Sequence, residues 1–96
     1  MVVLADPSHP GEVLKELFLD PLGMSSGALA SELKVPRTRI ERLVKGETAV
    51  TADTALRLSR FFGNTAEFWM NLQRAHDLHE ARQRVDVSDI KPMKVA

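Results

Sequence analysis

The sequence predicts an all-α fold, a single domain of five helices built around a helix-turn-helix and followed by a short C-terminal tail. Apolar residues recur at helical spacing in five stretches, which Gly, Pro, Ser or Thr residues separate. One boundary, at residues 34–36, is so tight that two short helices must meet at a sharp turn. The 96 residues suffice for one modest core, and there is no cysteine for a disulfide or a thiolate metal site.

The first predicted helix opens at segment 9–12, His-Pro-Gly-Glu, which puts a proline in the first turn and Glu12 beside the positive helix end. Its predicted buried face comprises Val13, Leu14, Leu17 and Phe18. Segment 20–23, Asp-Pro-Leu-Gly, ends this helix. Residues 1–8 show no pattern, and we expect them to form an extended N-terminal arm.

Residues 25–48 predict the second and third helices. Ser25 is a suitable N-cap for the second helix, whose predicted buried residues are Leu29, Ala30 and Leu33. Lys34 is expected in the left-handed turn conformation, which costs a non-glycine residue on the order of 1 kcal/mol. Pro36 suits the first turn of the third helix. That helix is predicted to bury Ile40, Leu43 and Val44 and to end at Gly46.

Two further helices complete the predicted domain. Thr51 caps the fourth, Gly63 closes it, and its predicted buried face is Ala55, Leu56, Leu58, Phe61 and Phe62. Asn64 or Thr65 caps a fifth helix that runs to about Arg82. Its apolar start is Phe68, Trp69 and Leu72, and we expect Phe68 and Trp69 to pack in the core. The domain is therefore predicted over 9–82, and the tail, 83–96, is either a short strand or a loose end.

The charge distribution favours a polyanionic partner, although the net charge does not. Lysine and arginine number 13, as do aspartate and glutamate, so the formal net charge is zero. Residues 34–45 nevertheless carry five cations and a single anion, Glu41, whereas residues 1–24 are acidic. The local field, rather than the total charge, decides where a polyanion binds. The third helix is therefore the predicted DNA-binding element.

A helical projection assigns roles to the residues of the third helix. Its apolar residues face the core, so Thr38, Arg42 and Lys45 point away from it, with Arg37 on one flank and Arg39 on the other. In a helix-turn-helix the first residues of the second helix reach base edges. The predicted base contacts are Arg37, Thr38 and Arg42, and the predicted phosphate contacts are Arg39 and Lys45. Ser25 and Ser26, at the start of the second helix, could hold another phosphate, although Ser25 could equally be a plain cap.

The central segment resembles the phage-repressor and Cro-like helix-turn-helix superfamily, and the motifs around it resemble HigA-type antitoxins of type II toxin–antitoxin modules. These motifs are HPGEVL at 9–14, PLG at 21–23, TADTALRL at 51–58, FFG at 61–63 and EFWMNLQ at 67–73. The resemblance implies a protein that binds and blocks a HigB/RelE-type mRNA-cleaving toxin. It also implies a homodimer that represses its own operon by binding double-stranded operator DNA through Arg37, Thr38, Arg39 and Arg42.

Two surfaces are expected to serve these partners. One small motif makes few base contacts, so two copies on half-sites about one helical turn apart would give the required specificity. On the fifth helix, Ala75 and Leu78 are the predicted dimer contacts. The acidic first helix, with Glu12, Glu16 and Asp20, could face a basic toxin.

Other function classes are less well supported by the sequence. His76, His79 and Glu80 share a region of the fifth helix, but no further ligand converges on them, so we expect neither a metal nor another cofactor, and no catalysis. No stretch approaches the roughly 18 apolar residues of a membrane span, and no secretory signal is evident, so we expect a cytoplasmic protein. Two alternatives stay open: a stand-alone repressor without a toxin, and a toxin-binding module that has lost DNA binding.

Overall fold

The computed structural model describes residues 7–94 and contains five helices there, with no strand. The first, α1, is a continuous helical run over residues 10–22, made of Pro10–Val13, Leu14–Leu19 and Asp20–Leu22. The others are α2 (Ser26–Leu33), α3 (Arg37–Val44), α4 (Ala52–Phe62) and α5 (Ala66–Arg84). The predicted all-α fold with five helices is therefore confirmed. Most of the predicted N-terminal arm, residues 1–6, lies outside the described residues.

The middle of α1, Leu14–Leu19, is π-helical, and this changes which residues the helix buries. A π-helix bonds residues five apart, so Leu14 and Leu19 lie on the same side, and both are buried. Leu17, predicted from α-helical spacing to be buried, is instead 65% exposed. That part of the predicted α1 face was wrong, because the π-helical turn shifts the register between the two ends of the helix.

The caps of the helix-turn-helix follow from its sequence. The Ser25 Oγ accepts a hydrogen bond from the Ala28 N–H at 3.0 Å, which confirms the predicted N-cap of α2. Lys34 has a φ of +61° and is the non-glycine residue with a positive φ in the described chain, as the turn prediction requires. Pro36 is the N-cap of α3 rather than a residue of its first turn, and Gly46 follows α3 with a φ of +75°.

A single core joins all five helices. The buried side chains that compose it are Leu14, Leu19, Leu29, Ala30, Leu33, Ile40, Leu43, Val50, Ala55, Leu58 and Trp69. Trp69 is fully buried, and its indole N–H donates to the Asn64 side-chain oxygen at 2.9 Å. Thr65, one of the two predicted caps, caps α5 by accepting from the Phe68 N–H at 3.0 Å.

The predicted buried face of α4 was partly wrong. Leu56 is 62% exposed and Phe61 is also exposed, whereas Thr54 is buried beside Ala55 and Leu58. The buried stripe therefore keeps Ala55 and Leu58 and includes Thr54 instead of Leu56 and Phe61. Leu56 is two residues from Thr54, which is about half a turn, so it must face outward once Thr54 packs inward.

Gly11 brings the start of α1 against the end of α3. A Cβ at position 11 would overlap the carbonyl oxygen of Leu43, so no side chain fits there. The backbones of the two helices are consequently in direct contact. This contact fixes the position of α3, the helix that carries the candidate site.

The last helix projects beyond the core. It ends at Arg84, two residues after the predicted end, and residues 85–94 continue as exposed chain that contains a turn but no strand. The Ile90 N–H bonds to the Val87 carbonyl in that turn at 3.0 Å. The principal extents of the molecule are 55 × 25 × 24 Å. Within the described part of the chain, no helix combines the length and the apolar character that crossing a membrane requires.

Candidate nucleic-acid interface

The outer face of α3 is a polar ridge. Ile40 and Leu43 are buried, which turns the opposite side of the helix to solvent. The five residues predicted there to contact DNA are all exposed, namely Arg37, Thr38, Arg39, Arg42 and Lys45. The structure therefore places them where the helical projection predicts. Their contact with DNA stays a prediction.

Two open grooves flank this ridge and divide the predicted residues between them. The first, which we call the α4-side groove, has a volume of about 430 Å³ and is lined by Pro36, Thr38, Arg39, Arg42, Thr48, Ala49, Thr51, Asp53, Thr54 and Arg57. The second, the α2-side groove, has a volume of about 410 Å³ and is lined by Ser25, Ser26, Gly27, Arg37, Glu41, Val44 and Lys45. A ligand seated on α3 would therefore have polar groups on both sides of it.

Two arginines of the ridge lie near carboxylates without a close hydrogen bond. The Arg37 Nε is 3.4 Å from a Glu41 carboxylate oxygen, and the Arg42 Nε is 3.5 Å from one of Glu47. These separations exceed the 2.7–2.9 Å that is typical of a charged N–H···O hydrogen bond. Exposed ion pairs of this kind contribute only about 0–1 kcal/mol. A bound nucleic acid can therefore displace these carboxylates at little cost.

The third arginine, Arg39, belongs to a hydrogen-bonded network across three helices. Its Nη1 donates to Asp53 Oδ2 at 2.6 Å, and the Arg57 Nε donates to the same oxygen at 3.1 Å. The Arg57 Nη1 also donates to the Leu33 carbonyl at the end of α2, at 2.8 Å. The Asp53 pKa is lowered, first by the hydrogen bond from Arg39 and then by that from Arg57. The network thus links the end of α2 and the start of α4 to the side of α3.

The sequence did not reveal this network. Asp53 and Arg57 have the i, i+4 spacing that favours an ion pair on one helix, and that signal could have been found. The contact of Arg39 with Asp53 spans 14 positions and depends on how α3 and α4 pack. Thr48 and Thr51 also line the α4-side groove, and the sequence predicted only the role of Thr51 as a helix cap.

The start of α2 borders the α2-side groove. Ser25 uses its hydroxyl to cap the helix, and Ser26, the predicted phosphate contact, is half-buried beside it. A Cβ at Gly27 would lie 2.9 Å from the Cδ of Arg37, so the arginine stem passes close over the glycine. Because Gly27 has no side chain, the aliphatic part of the Arg37 side chain can cross α2 and enter this groove.

His9 connects the start of α1 to the turn that follows α3. Its Nδ1 accepts a hydrogen bond from the Gly11 N–H at 2.9 Å, and its ring lies near Gly46. The rings of His9 and His76 have their centroids 5.0 Å apart in an edge-to-face arrangement. Burial lowers the pKa of His9, and the neighbouring His76 lowers it further. The sequence showed His9 only as part of a helix-opening motif.

The predicted dimer residues lie on α5, outside the core. Ala75 is exposed and Leu78 is 45% exposed. Leu78 borders a shallow, mainly apolar groove of about 330 Å³, whose lining residues are Leu78, Ala81, Arg82, Val85 and Val87. The end of α5 and the beginning of the tail thus form a continuous apolar surface.

The histidines of α5 do not assemble a metal site in the described residues. The His76 Nδ1 lies 3.1 Å from the Pro7 carbonyl oxygen. No group of three His, Asp or Glu side chains with a geometry suited to a metal occurs between residues 7 and 94. On α1, Glu12, Glu16 and Asp20 are exposed, and Asp20 pairs with Lys15 at 3.1 Å.

The chain is similar to known helix-turn-helix proteins. The helix-turn-helix family model matches residues 14–69. Virulence-associated protein I of Dichelobacter nodosus is 51% identical over 75 residues, which cover 78% of this chain and 69% of that protein. Antitoxin HigA-1 of Vibrio cholerae serotype O1 is 40% identical over 92 residues, covering 94% of this chain and 87% of that protein. Both alignments include the ridge and its flanking helices.

A solved structure shows a similar fold on DNA. PA4674 from Pseudomonas aeruginosa, in complex with its 18-bp operator DNA, superimposes with a TM-score of 0.86 and is 38% identical in sequence. The match covers 91% of this chain and 97% of that one.

Proposed function

The chain belongs to the helix-turn-helix family, among its HigA-type antitoxins, and we propose from this membership that it has two macromolecular partners. As a homodimer, it binds the operator DNA of its own promoter in the cytoplasm and represses transcription. It also binds and neutralises a HigB/RelE-type mRNA-cleaving toxin. Members of this family are DNA-binding regulators, and the chain is not an enzyme.

The observation that carries the DNA-binding part of this proposal is the polar ridge of α3. Arg37, Thr38 and Arg42 are exposed on a helix whose opposite face is fixed in the core. Arginine can bond guanine at two positions, and the threonine methyl can contact the thymine methyl. Arg39, Lys45 and the start of α2 at Ser26 would contact phosphates on either side. PA4674, with a similar fold, binds its operator.

The toxin-binding part is supported by similarity to an antitoxin and by the charge of α1. HigA-1 of Vibrio cholerae is named an antitoxin and shares 40% identity over nearly the whole chain. The acidic side chains Glu12, Glu16 and Asp20 are exposed together on α1, outside the ridge. An enzyme that cuts RNA is expected to be basic, and such a surface would attract it. The two partners would therefore use different surfaces.

Operator binding tests the first part of the proposal. A gel-shift titration compares wild type with the variant that carries Arg37→Ala and Arg42→Ala. Two lost bidentate contacts of about 1–3 kcal/mol each weaken operator binding on the order of 100-fold. The matched control carries Arg60→Ala and Arg74→Ala, which remove the same charge from exposed positions on α4 and α5.

The control separates base reading from net charge. We expect the control to bind the operator nearly as well as wild type. If the ridge variant and the control both bind like wild type, α3 does not read the operator. If both lose affinity equally, the effect is one of general charge.

Co-expression of this chain with the product of a short gene next to its own tests whether it binds and neutralises a toxin. We expect the two chains to copurify and the chain to relieve growth arrest caused by its neighbour. Operator binding without such a complex indicates a stand-alone repressor. A complex without operator binding indicates a toxin-binding module that has lost its DNA-binding role. Each of these two outcomes contradicts one half of the proposal.

A further inference from the structure

We propose that Asp53 is a specificity-determining positioning residue, which holds Arg39 so that the protein discriminates its operator from unrelated DNA. This inference rests on the proposed binding of DNA by α3. Arg39 is exposed enough to reach a ligand, with 42% of its side chain accessible, yet one of its nitrogens is held by Asp53 at 2.6 Å. The remaining guanidinium donors therefore have a defined direction.

The Arg39–Asp53 contact differs from the other arginine–carboxylate contacts of the ridge. The pairs at Arg37 and Arg42 are 3.4 and 3.5 Å long, whereas the Arg39 pair has the length of a strong charge-assisted hydrogen bond. Arg37 and Arg42 can therefore reorient when they contact the bases of bound DNA. Arg39 is the ridge arginine with a fixed orientation.

Asp53 is itself held in place. It lies in the first turn of α4, and the Arg57 Nε donates to it from one turn further along that helix at 3.1 Å. Arg57 is in turn anchored to the Leu33 carbonyl at 2.8 Å, where a cation is favourable at the negative end of α2. The carboxylate is thus attached to two helices other than α3. Arg39 can therefore turn away only by breaking its hydrogen bond to a carboxylate that stays in place.

The Asp53 carboxylate acts oppositely on operator and on unrelated DNA. Its negative charge lies in the α4-side groove and opposes every nearby phosphate, whatever the sequence. The shape of DNA depends on its sequence, so the operator sets where its own phosphates lie. On the operator, the oriented Arg39 guanidinium meets its phosphate in the correct direction without losing further side-chain freedom. On other sequences, that target is displaced, and Arg39 cannot easily turn to the nearest phosphate instead. Asp53 therefore lowers the affinity for all DNA by repulsion, and on the operator the contact of the oriented Arg39 compensates for this loss.

The test measures the ratio of affinities for operator and unrelated DNA of equal length. We expect Asp53→Ala to bind unrelated DNA more tightly, while the ratio falls about tenfold, as for one mismatched position in a binding site. Arg39 then reaches an additional phosphate, so the salt dependence of binding to unrelated DNA steepens by about one unit of log–log slope. Loss of fold alone would change neither the ratio nor the slope in this way.

Three comparison variants make the test specific. Glu47→Ala removes a carboxylate near Arg42 and should strengthen binding to both DNAs without changing the ratio. The double variant Arg39→Ala with Asp53→Ala should have the same affinity ratio as Arg39→Ala alone. Asp53→Asn keeps an oxygen that can accept from Arg39, so it should retain part of the discrimination. It also serves as the test if the alanine variant melts too early.

Several results would overturn the inference. If Asp53→Ala and Asp53→Asn are folded and the ratio of operator to unrelated affinity is unchanged in both, Asp53 does not set specificity. If Asp53→Ala lowers this ratio further when Arg39→Ala is already present, Asp53 acts through another residue. In either case, operator binding by wild type and its loss in the Arg37 and Arg42 variant leave the proposed function intact. If wild type itself does not prefer its operator, both are wrong.

Discussion

His9 acts as the N-cap of α1 only in its neutral form. Its Nδ1 must be unprotonated to accept the Gly11 N–H, and the ring faces the ring of His76. Burial and His76 lower the pKa of His9 below 6.5, while Asp77, the Thr48 carbonyl and Glu12 act in the opposite direction. Because the unfolded chain then binds a proton more readily, the stabilisation from neutral His9 is complete above about pH 6.5. It is lost as the pH falls below 6.5 towards the lowered native pKa.

We therefore expect His9→Asn to flatten the pH dependence of stability. Asparagine is a good N-cap and does not titrate, so the variant keeps the cap without the proton linkage. Between pH 7 and pH 5, the free energy of unfolding of wild type should fall more than that of the variant. Urea titrations across this range measure the difference. Parallel profiles for the two proteins would contradict the assignment.

At the scale of single residues, local features were predictable and contacts between helices were not. Ser25 as a cap and Lys34 in the left-handed turn followed from neighbouring residues, and both are confirmed. The exposure of Arg37 and Arg42 followed from helical periodicity. The bond from Arg39 to Asp53 could not be predicted, because it depends on the angle at which α3 and α4 pack.

At the scale of elements, the close contact of α1 with α3 at Gly11 predicts how a substitution there affects stability. Gly11→Ala puts a methyl group onto the Leu43 carbonyl, so the helices must separate. We expect a loss of roughly 1–3 kcal/mol in the free energy of unfolding, as for other overpacked sites. Chemical denaturation measures this loss.

Gly27→Ala is the matched control for that prediction. Its new Cβ would approach the flexible side chain of Arg37 rather than backbone, and alanine favours a helix over glycine by about 0.5–1 kcal/mol. The control should therefore be neutral or slightly stabilising. An equal loss in both variants would mean that the close approach at Gly11 does not account for the effect.

The existence and order of the helices were predictable from the sequence, but the buried faces of α1 and α4 were predicted only in part. In α1, the π-helical segment buries Leu19 and exposes Leu17, because its hydrogen bonds change the period that the prediction assumed. In α4, burial of Thr54 turns Leu56 outward. Both errors arise because tertiary packing selects among several helical registers that the sequence allows.

At the scale of the whole molecule, the proposed homodimer makes the end of α5 an interface. Leu78→Asp places a charge on a side chain that is already 45% exposed, so the isolated fold should tolerate it. We expect dimerisation to weaken about tenfold or more, as for a central interface residue, with a parallel loss of operator affinity. Sedimentation equilibrium measures the association.

Leu56→Asp is the control for this prediction, because Leu56 is an equally apolar and still more exposed residue on α4. It should leave association unchanged. If the two variants behave alike, the end of α5, with Ala75 and Leu78, is not the dimer contact.

The projecting end of α5 also affects how the protein moves through solution. With extents of 55 × 25 × 24 Å, the molecule is more than twice as long as it is wide. An elongated particle experiences more friction than a sphere of equal mass, so a single copy of this 10.7 kDa chain elutes early from a sizing column. Its diffusion coefficient alone would suggest a larger assembly. The number of subunits must therefore come from a method that depends on mass and not on shape.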